Sequence, residues 1–121
     1  MKISVSDGIN QFDTVEFTSV SALAKQACKS NISTSVFKTG YRNIDNFEYA
    51  DCIGLDIDND NKSGTPLLGL DEAASVFDGY RHVILTTRSH RKEKNGLVAD
   101  RFRIILFLET PITNAEDFYA T

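Results

Sequence analysis

The stretch Cys52-Ile53-Gly54-Leu55-Asp56-Ile57-Asp58 alternates apolar and polar residues, the period of a strand with one face in a core. Ile53, Leu55 and Ile57 take the core side. Gly54, Asp56 and Asp58 then share the other face, with the two aspartates about 7 Å apart along the backbone. Carboxylates held that closely repel, and a bound hard cation such as Mg²⁺ or Mn²⁺, which prefers oxygen ligands, relieves the repulsion. The plain alternative for a lone D-x-D is an exposed strand end whose acids face water.

Working outward, residues 59–66 are dense in turn formers, and Leu70, Ala73, Ala74 and Phe77 then form a helical stripe, with Asp71 and Glu72 in its first turn. Residues 82–87 read as the next strand, with Val83 and Leu85 taken as its core parity, which puts Thr86, Arg88 and His90 opposite. Residues 101–108 read as another, with Phe102, Ile104, Leu106 and Leu108 inward and Arg101 and Arg103 outward. Lys92-Glu93-Lys94-Asn95-Gly96 between them reads as a mobile loop tip. Thr113-Asn114-Ala115-Glu116 has the form of a capping box and predicts a third helix with Phe118 and Tyr119 facing the core.

Toward the N-terminus, residues 2–6 and 14–18 predict two short strands. A helix follows, with Ser19 as N-cap and an apolar stripe of Val20, Leu23, Ala24, Ala27 and Cys28, and then a brief strand at 35–37. The sum is an α+β fold in which a mostly antiparallel sheet has its apolar face covered by helices and its other face free for a ligand. With 121 residues, 41% of them hydrophobic, one core and a single domain over 1–121 are expected.

No run of about 18 apolar residues occurs and the N-terminus has no signal-peptide pattern, so the expectation is a cytoplasmic protein with no membrane partner. Cys28 and Cys52 lack C-x-x-C spacing and read as two buried thiols rather than a zinc or disulfide framework. The net charge of −4 hides a segregation. Asp45, Glu48, Asp51, Asp56, Asp58 and Asp60 form an acidic block without a base. Arg81, Arg88, Arg91, Lys92, Lys94, Arg101 and Arg103 follow, against only Glu93 and Asp100. An acidic block for cations followed by a basic block for phosphates is what a metal-dependent nucleotide site needs.

The order Ile53-Gly-Leu-Asp-Ile-Asp58, Leu85-Thr-Thr-Arg-Ser-His90 and Asp100-Arg-Phe-Arg-Ile-Ile-Leu-Phe-Leu-Glu-Thr-Pro-Ile112 resembles the archaeo-eukaryotic primase superfamily, and within it the primase-polymerase domains of phage and plasmid replication proteins. The resemblance covers residues 50–114. It implies an RNA-recognition-like palm in which Asp56 and Asp58 are catalytic metal ligands for Mg²⁺ or Mn²⁺, and Ser89 and His90 contact a nucleoside triphosphate, His90 as a catalytic residue. Arg88, Arg101 and Arg103 are assigned to phosphate, with Arg101 and Arg103 open also to a single-stranded DNA template, on parity and charge. Such a nucleotidyltransferase joins a 3′-hydroxyl to an α-phosphate in DNA replication.

The family's third acidic motif, on a later strand, has no counterpart here: after Leu108 only Glu109, Glu116 and Asp117 remain. The expectation is therefore the N-terminal part of a longer replication protein or helicase, bacterial or phage-encoded, cut before that motif. One alternative is a catalytically inactive primase-like binding module or phage-encoded inhibitor. Another is a single-stranded nucleic-acid binder using the basic stretch with Tyr80 or Phe102 for stacking.

Overall fold

A computed structural model describes residues 1–59, 67–94 and 96–119. The chain is α+β with antiparallel pairing, and it divides into two compact units, Met1–Ile53 with Phe107–Thr121, and Gly54–Leu106. The strands are β1 (Lys2–Ser6), β2 (Asp13–Glu16), β3 (Asn31–Ser33), β4 (Ser35–Phe37), β5 (Phe47–Ile57), β6 (His82–Thr86), β7 (Glu93–Lys94), β8 (Leu97–Val98) and β9 (Phe102–Ile112). The helices are α1 (Val20–Lys29), α2 (Leu70–Val76) and α3 (Ala115–Tyr119). Among the described residues there are two sheets instead of one, in the orders β2-β1-β3 and β4-β5-β9-β6, with a separate β7-β8 hairpin.

In the first unit, β1 is flanked antiparallel by β2 and β3, and Ile3 and Val5 are buried. Ser19 caps α1 by accepting the Ala22 N–H at 3.1 Å, as its place before the apolar stripe predicts. The stripe is narrower than its spacing suggests: Leu23 is buried, but Val20 and Cys28 face solvent. Cys28 is thus not a core thiol, because it lies in the last turn of a helix whose buried stripe is carried by Leu23 with half-buried Ala24 and Ala27. Cys52 is buried, and burial followed by the charge of Asp51 pushes its thiol up to about 12.

The start of β5 pairs with β4 through a register shift between Val36 and Phe37. Phe118 of α3 stacks on Phe47 at 5.1 Å, the core-facing role expected of it; the side chain of Tyr119 lies outside the described residues. The cap of α3 is Asn114, whose Oδ1 accepts the N–H groups of Glu116 at 2.8 Å and Asp117 at 3.4 Å. The capping box read from Thr113 is therefore one residue out of place. Asparagine is at least as good a cap as threonine, so sequence pattern alone does not choose between them.

The second unit has its own core. Ala73 of α2 and Phe102 and Ile104 of β9 are fully buried, with Leu55, Ile57, Leu68, Leu70, Phe77, Ile84 and Leu106 packed around them. This confirms the alternation of the D-x-D strand: Leu55 and Ile57 lie on the α2 side, and Asp56 is exposed on the other. It inverts the parity assigned to β6. The register pairs His82 with Leu106, Ile84 with Ile104 and Thr86 with Phe102, so the even residues face α2. Val83 and Leu85 lie opposite Ile105 and Arg103, on the face that carries Asp56. Val83-Ile84-Leu85 is apolar on both parities, and only its pairing with β9 settles which side is inward.

Candidate functional site

Every residue assigned to chemistry from the sequence belongs to the second unit, and the structure sorts those residues into two groups. The first is a pair on the sheet face away from α2. Asp56 on β5 and Arg103 on the neighbouring β9 form a forked ion pair, Arg103 Nε to Asp56 Oδ1 at 2.5 Å and Nη2 to Oδ2 at 3.2 Å. Two parallel N–H to oxygen bonds between guanidinium and carboxylate are the strongest form of this contact. The Asp56 side chain is 64% exposed and that of Arg103 28%, so both are reachable from solvent. Ile105, next on the same side of β9, is fully buried, so this face is part polar and part apolar rather than uniformly charged.

The second group surrounds Arg101. The outward parity expected of it fails, because Arg101 precedes the first residue of β9 and its side chain is fully buried. Its guanidinium donates to main-chain oxygens throughout: Nε to Asp58 O at 2.7 Å, Nη1 to Ser89 O at 3.0 Å and Lys92 O at 2.6 Å, and Nη2 to Leu97 O at 3.0 Å and Asn59 O at 3.4 Å. The Asp58 carboxylate lies 3.8 Å from Nε as a weak ion partner. A buried guanidinium is tolerated only when its fixed fork of donors is satisfied, and here five carbonyls do so. Arg101 therefore has no donors left for phosphate or template. It is the residue that fastens the end of β5, the turn at 87–92 and the arm of β8 to one another.

The turn itself is regular. The N–H groups of His90 and Lys92 donate to Thr87 O and Ser89 O, and Arg91, at φ 56, donates its N–H to Ala99 O. His90 Nδ1 accepts the Arg101 N–H at 3.0 Å, which leaves Nε2 as the ring atom able to reach a ligand, and as a donor in the neutral tautomer. Ser89 is half-buried and Arg88 exposed. The expected loop tip carries a short hairpin in which Glu93 pairs with Val98 and Lys94 with Leu97, and Arg101 holds Lys92 O and Leu97 O at its base; Asn95 lies outside the described residues. So do Asp60 and residues 61–66, where the sequence is dense in turn formers. Of the basic block, Arg91, Arg101 and Arg103 are engaged with protein oxygens, and Arg88 and Lys92 are exposed.

Two residues that the sequence reading left without a role complete the frame. Asn59 takes a left-handed conformation at φ 42, which asparagine tolerates. Its side chain accepts the Leu68 N–H and donates to Leu68 O and Asp100 O. Asp100 caps α2 from a distance: Gly69 at the N-cap has no side chain to offer, and Asp100 Oδ2 accepts the Leu70 N–H at 2.9 Å. Arg91 Nε meets Asp100 Oδ1 at 2.6 Å. The signal in the sequence was Gly69 ahead of an otherwise well-formed helix, a missing cap that another segment had to supply.

The Leu70 N–H, and after it the Arg91 charge, hold the Asp100 carboxyl below its ordinary value of 3.8. The folded protein then binds this proton less readily than the unfolded chain. The stability contributed is complete above that ordinary value and is lost as pH falls through the lower folded one. In urea titrations the stability gap between wild type and Asp100→Asn should therefore hold constant above the ordinary value of 3.8 and narrow as pH falls below it. A gap that stays constant below that value as well would remove the assigned role.

The donor chemistry at Asp56 and Asp58, two hard carboxylate groups, suits one hard cation with water completing its shell. Among the described residues no group of three or more His, Cys, Asp or Glu side chains is placed to hold a metal, and no helix is long and apolar enough to cross a membrane. No protein-family model, curated protein or solved structure matches the chain.

Proposed function

We propose that this chain is the metal- and nucleotide-binding part of a primase-like nucleotidyl-transfer palm. In this reading Asp56 and Asp58 hold Mg²⁺ or Mn²⁺, and Arg88, Ser89, His90 and Arg103 receive the phosphates of a nucleoside triphosphate. The observation that supports it is the Arg101 clamp. One guanidinium binds both the Asp58 carbonyl and the Ser89 carbonyl, so the end of the D-x-D strand and the T-x-S-H turn, 31 residues apart in sequence, lie side by side. This adjacency of their main chains is what supports assigning the two motifs to one metal-nucleotide site.

A divalent cation bound there would neutralise phosphate charge and polarise the phosphoryl oxygens. The protein's own part is positioning. Arg103 offers a planar fork that matches phosphate oxygens, His90 Nε2 offers a single donor, and the Ser89 hydroxyl offers a donor that rotates to suit. Arg101 is reassigned from phosphate ligand to frame. Completion of catalysis would fall to a further carboxylate supplied from outside the described residues. The alternative of an inactive binding module uses the same contacts without transfer.

Calorimetric titration with a nucleoside triphosphate, with and without Mg²⁺, tests the reading. The expected result is that binding requires metal and that the Asp56→Ala, Asp58→Ala double variant loses at least about tenfold in metal-dependent affinity, the size of a lost charge-assisted ligand set. The clamp uses the Asp58 carbonyl, with the carboxylate only a weak partner at 3.8 Å, and circular dichroism of the double variant, run beside the titration, separates lost ligands from a lost fold. Equal binding by variant and wild type, or binding indifferent to metal, would sink the proposal.

A further inference from the structure

We propose that the Asp56–Arg103 fork is a resting latch, opened jointly by the metal and the triphosphate, which makes the two ligands bind cooperatively. The inference rests on the reading above and adds regulation to the same site. Both oxygens of Asp56 are engaged by the same guanidinium, through Nε and Nη2. A cation approaching Asp56 therefore has to displace a fixed positive charge and then sit beside it. A triphosphate approaching Arg103 has to displace a carboxylate and then sit beside that.

Each ligand alone meets a broken contact and a like charge. Together, each takes one member of the pair, and each neutralises the charge that opposed the other. The surroundings sharpen the effect. Leu85 lies directly across from Arg103 and Ile105 is fully buried on the same side of β9, so apolar neighbours reduce screening on the arginine side of the pair, while Asp56, 64% exposed, stays open to an approaching cation. The two partners also sit on adjacent strands of one sheet rather than on a loop, so neither can swing far away from the other when the contact breaks.

The latch predicts opposite effects from its two halves. Removing the arginine charge should tighten metal binding and weaken triphosphate binding. Removing the aspartate charge should do the reverse for triphosphate bound in the absence of metal. A pair that only braces the sheet would shift both ligands in the same direction in both variants.

The experiment uses Mn²⁺ alone, counted by the electron paramagnetic resonance of the free ion, and a fluorescent nucleoside triphosphate in excess chelator. Arg103→Gln is expected to raise Mn²⁺ affinity roughly three- to tenfold and to lower metal-free triphosphate affinity by a similar factor; Asp56→Asn is expected to raise metal-free triphosphate affinity several-fold. Arg103→Lys, which keeps the charge and the apolar stem but loses the fork, serves if the glutamine variant unfolds, and should give a smaller rise in Mn²⁺ affinity. If wild type binds Mn²⁺ and the Arg103 variants bind it equally or less well, the latch is wrong while the nucleotide-site reading stands. If wild type binds neither Mn²⁺ nor the triphosphate, alone or together, both fall.

Discussion

Arg101→Met is expected to lower stability by roughly 4 kcal/mol or more, and the thermal midpoint by about 15 °C or more. Methionine keeps the apolar stem and removes every donor. The carbonyls of Asp58, Asn59, Ser89, Lys92 and Leu97 would then lose the guanidinium they share in a part-buried site, with Ser89 O keeping the Lys92 N–H. Each orphaned acceptor costs about 1–3 kcal/mol when it cannot relax to water. The full sum would rival the total stability of a domain, so relaxation of the turn at 87–92 must recover part of it. Arg101→Lys should recover only a fraction, because one ammonium with three donors cannot span five carbonyls.

A sharper check uses Arg101→Ala. Guanidinium ion at about 20 mM, far below denaturing concentration, should raise its melting midpoint, and sodium ion at equal strength should not. The account fails if Arg101→Met melts within about 1 kcal/mol of wild type.

Gly40→Ala should be the most damaging change of a single methyl group in the first unit, costing roughly 3 kcal/mol or more. Gly40 has φ 77, where a side chain is strained, and an added Cβ would overlap the Phe12 carbonyl and come within 2.7 Å of Gln11 Nε2. Residues 10–12 run along residues 39–42 with no slack: Phe12 N donates to Gly40 O at 2.8 Å, Arg42 N to Asn10 O at 2.6 Å and Gln11 Nε2 to Thr39 O at 2.9 Å. The methyl must push these segments apart, and Phe12 and Phe37, buried with ring centroids 5.9 Å apart, move with them.

Gly96→Ala is the control. Its φ is 78, almost the same, but a Cβ there meets no atom of the described residues within 4 Å. It should cost only about 1–2 kcal/mol, the backbone part alone. Equal urea midpoints for the two variants would show that the close packing around Gly40 does not matter.

How far the sequence could be read depended on whether one physical rule acted alone. Ile53-Gly-Leu-Asp-Ile-Asp58 was legible because its alternation is unbroken, and Asp56 is exposed where that alternation put it. The capping serine of α1 was legible for the same reason, since Ser19 is followed at once by a helical stripe. Val83-Ile84-Leu85 was not, because three consecutive apolar residues carry no parity, and the register with β9 turned the strand over. Arg101 obeyed strand parity in prospect but sits one residue before β9, where the chain enters the interior. Its partners are carbonyls from three separate segments, and no side-chain pattern encodes that. The length of β9 was also hidden: the strand runs through Pro111, a residue that usually ends one, and stops at Ile112. The paired acid and arginine on the exposed face were each foreseen, but their attachment to one another was not, since it follows from β5 and β9 being neighbours.

Arg101 grips main-chain oxygens, and every amino acid carries one. The residues at 58, 89, 92 and 97 can therefore be exchanged wholesale, provided their backbone path is kept, without loosening the knot that holds them. A saturation library should show position 101 intolerant and those four permissive. A lineage could thus rewrite what the rim of this unit recognises while inheriting the same buried cation beneath it.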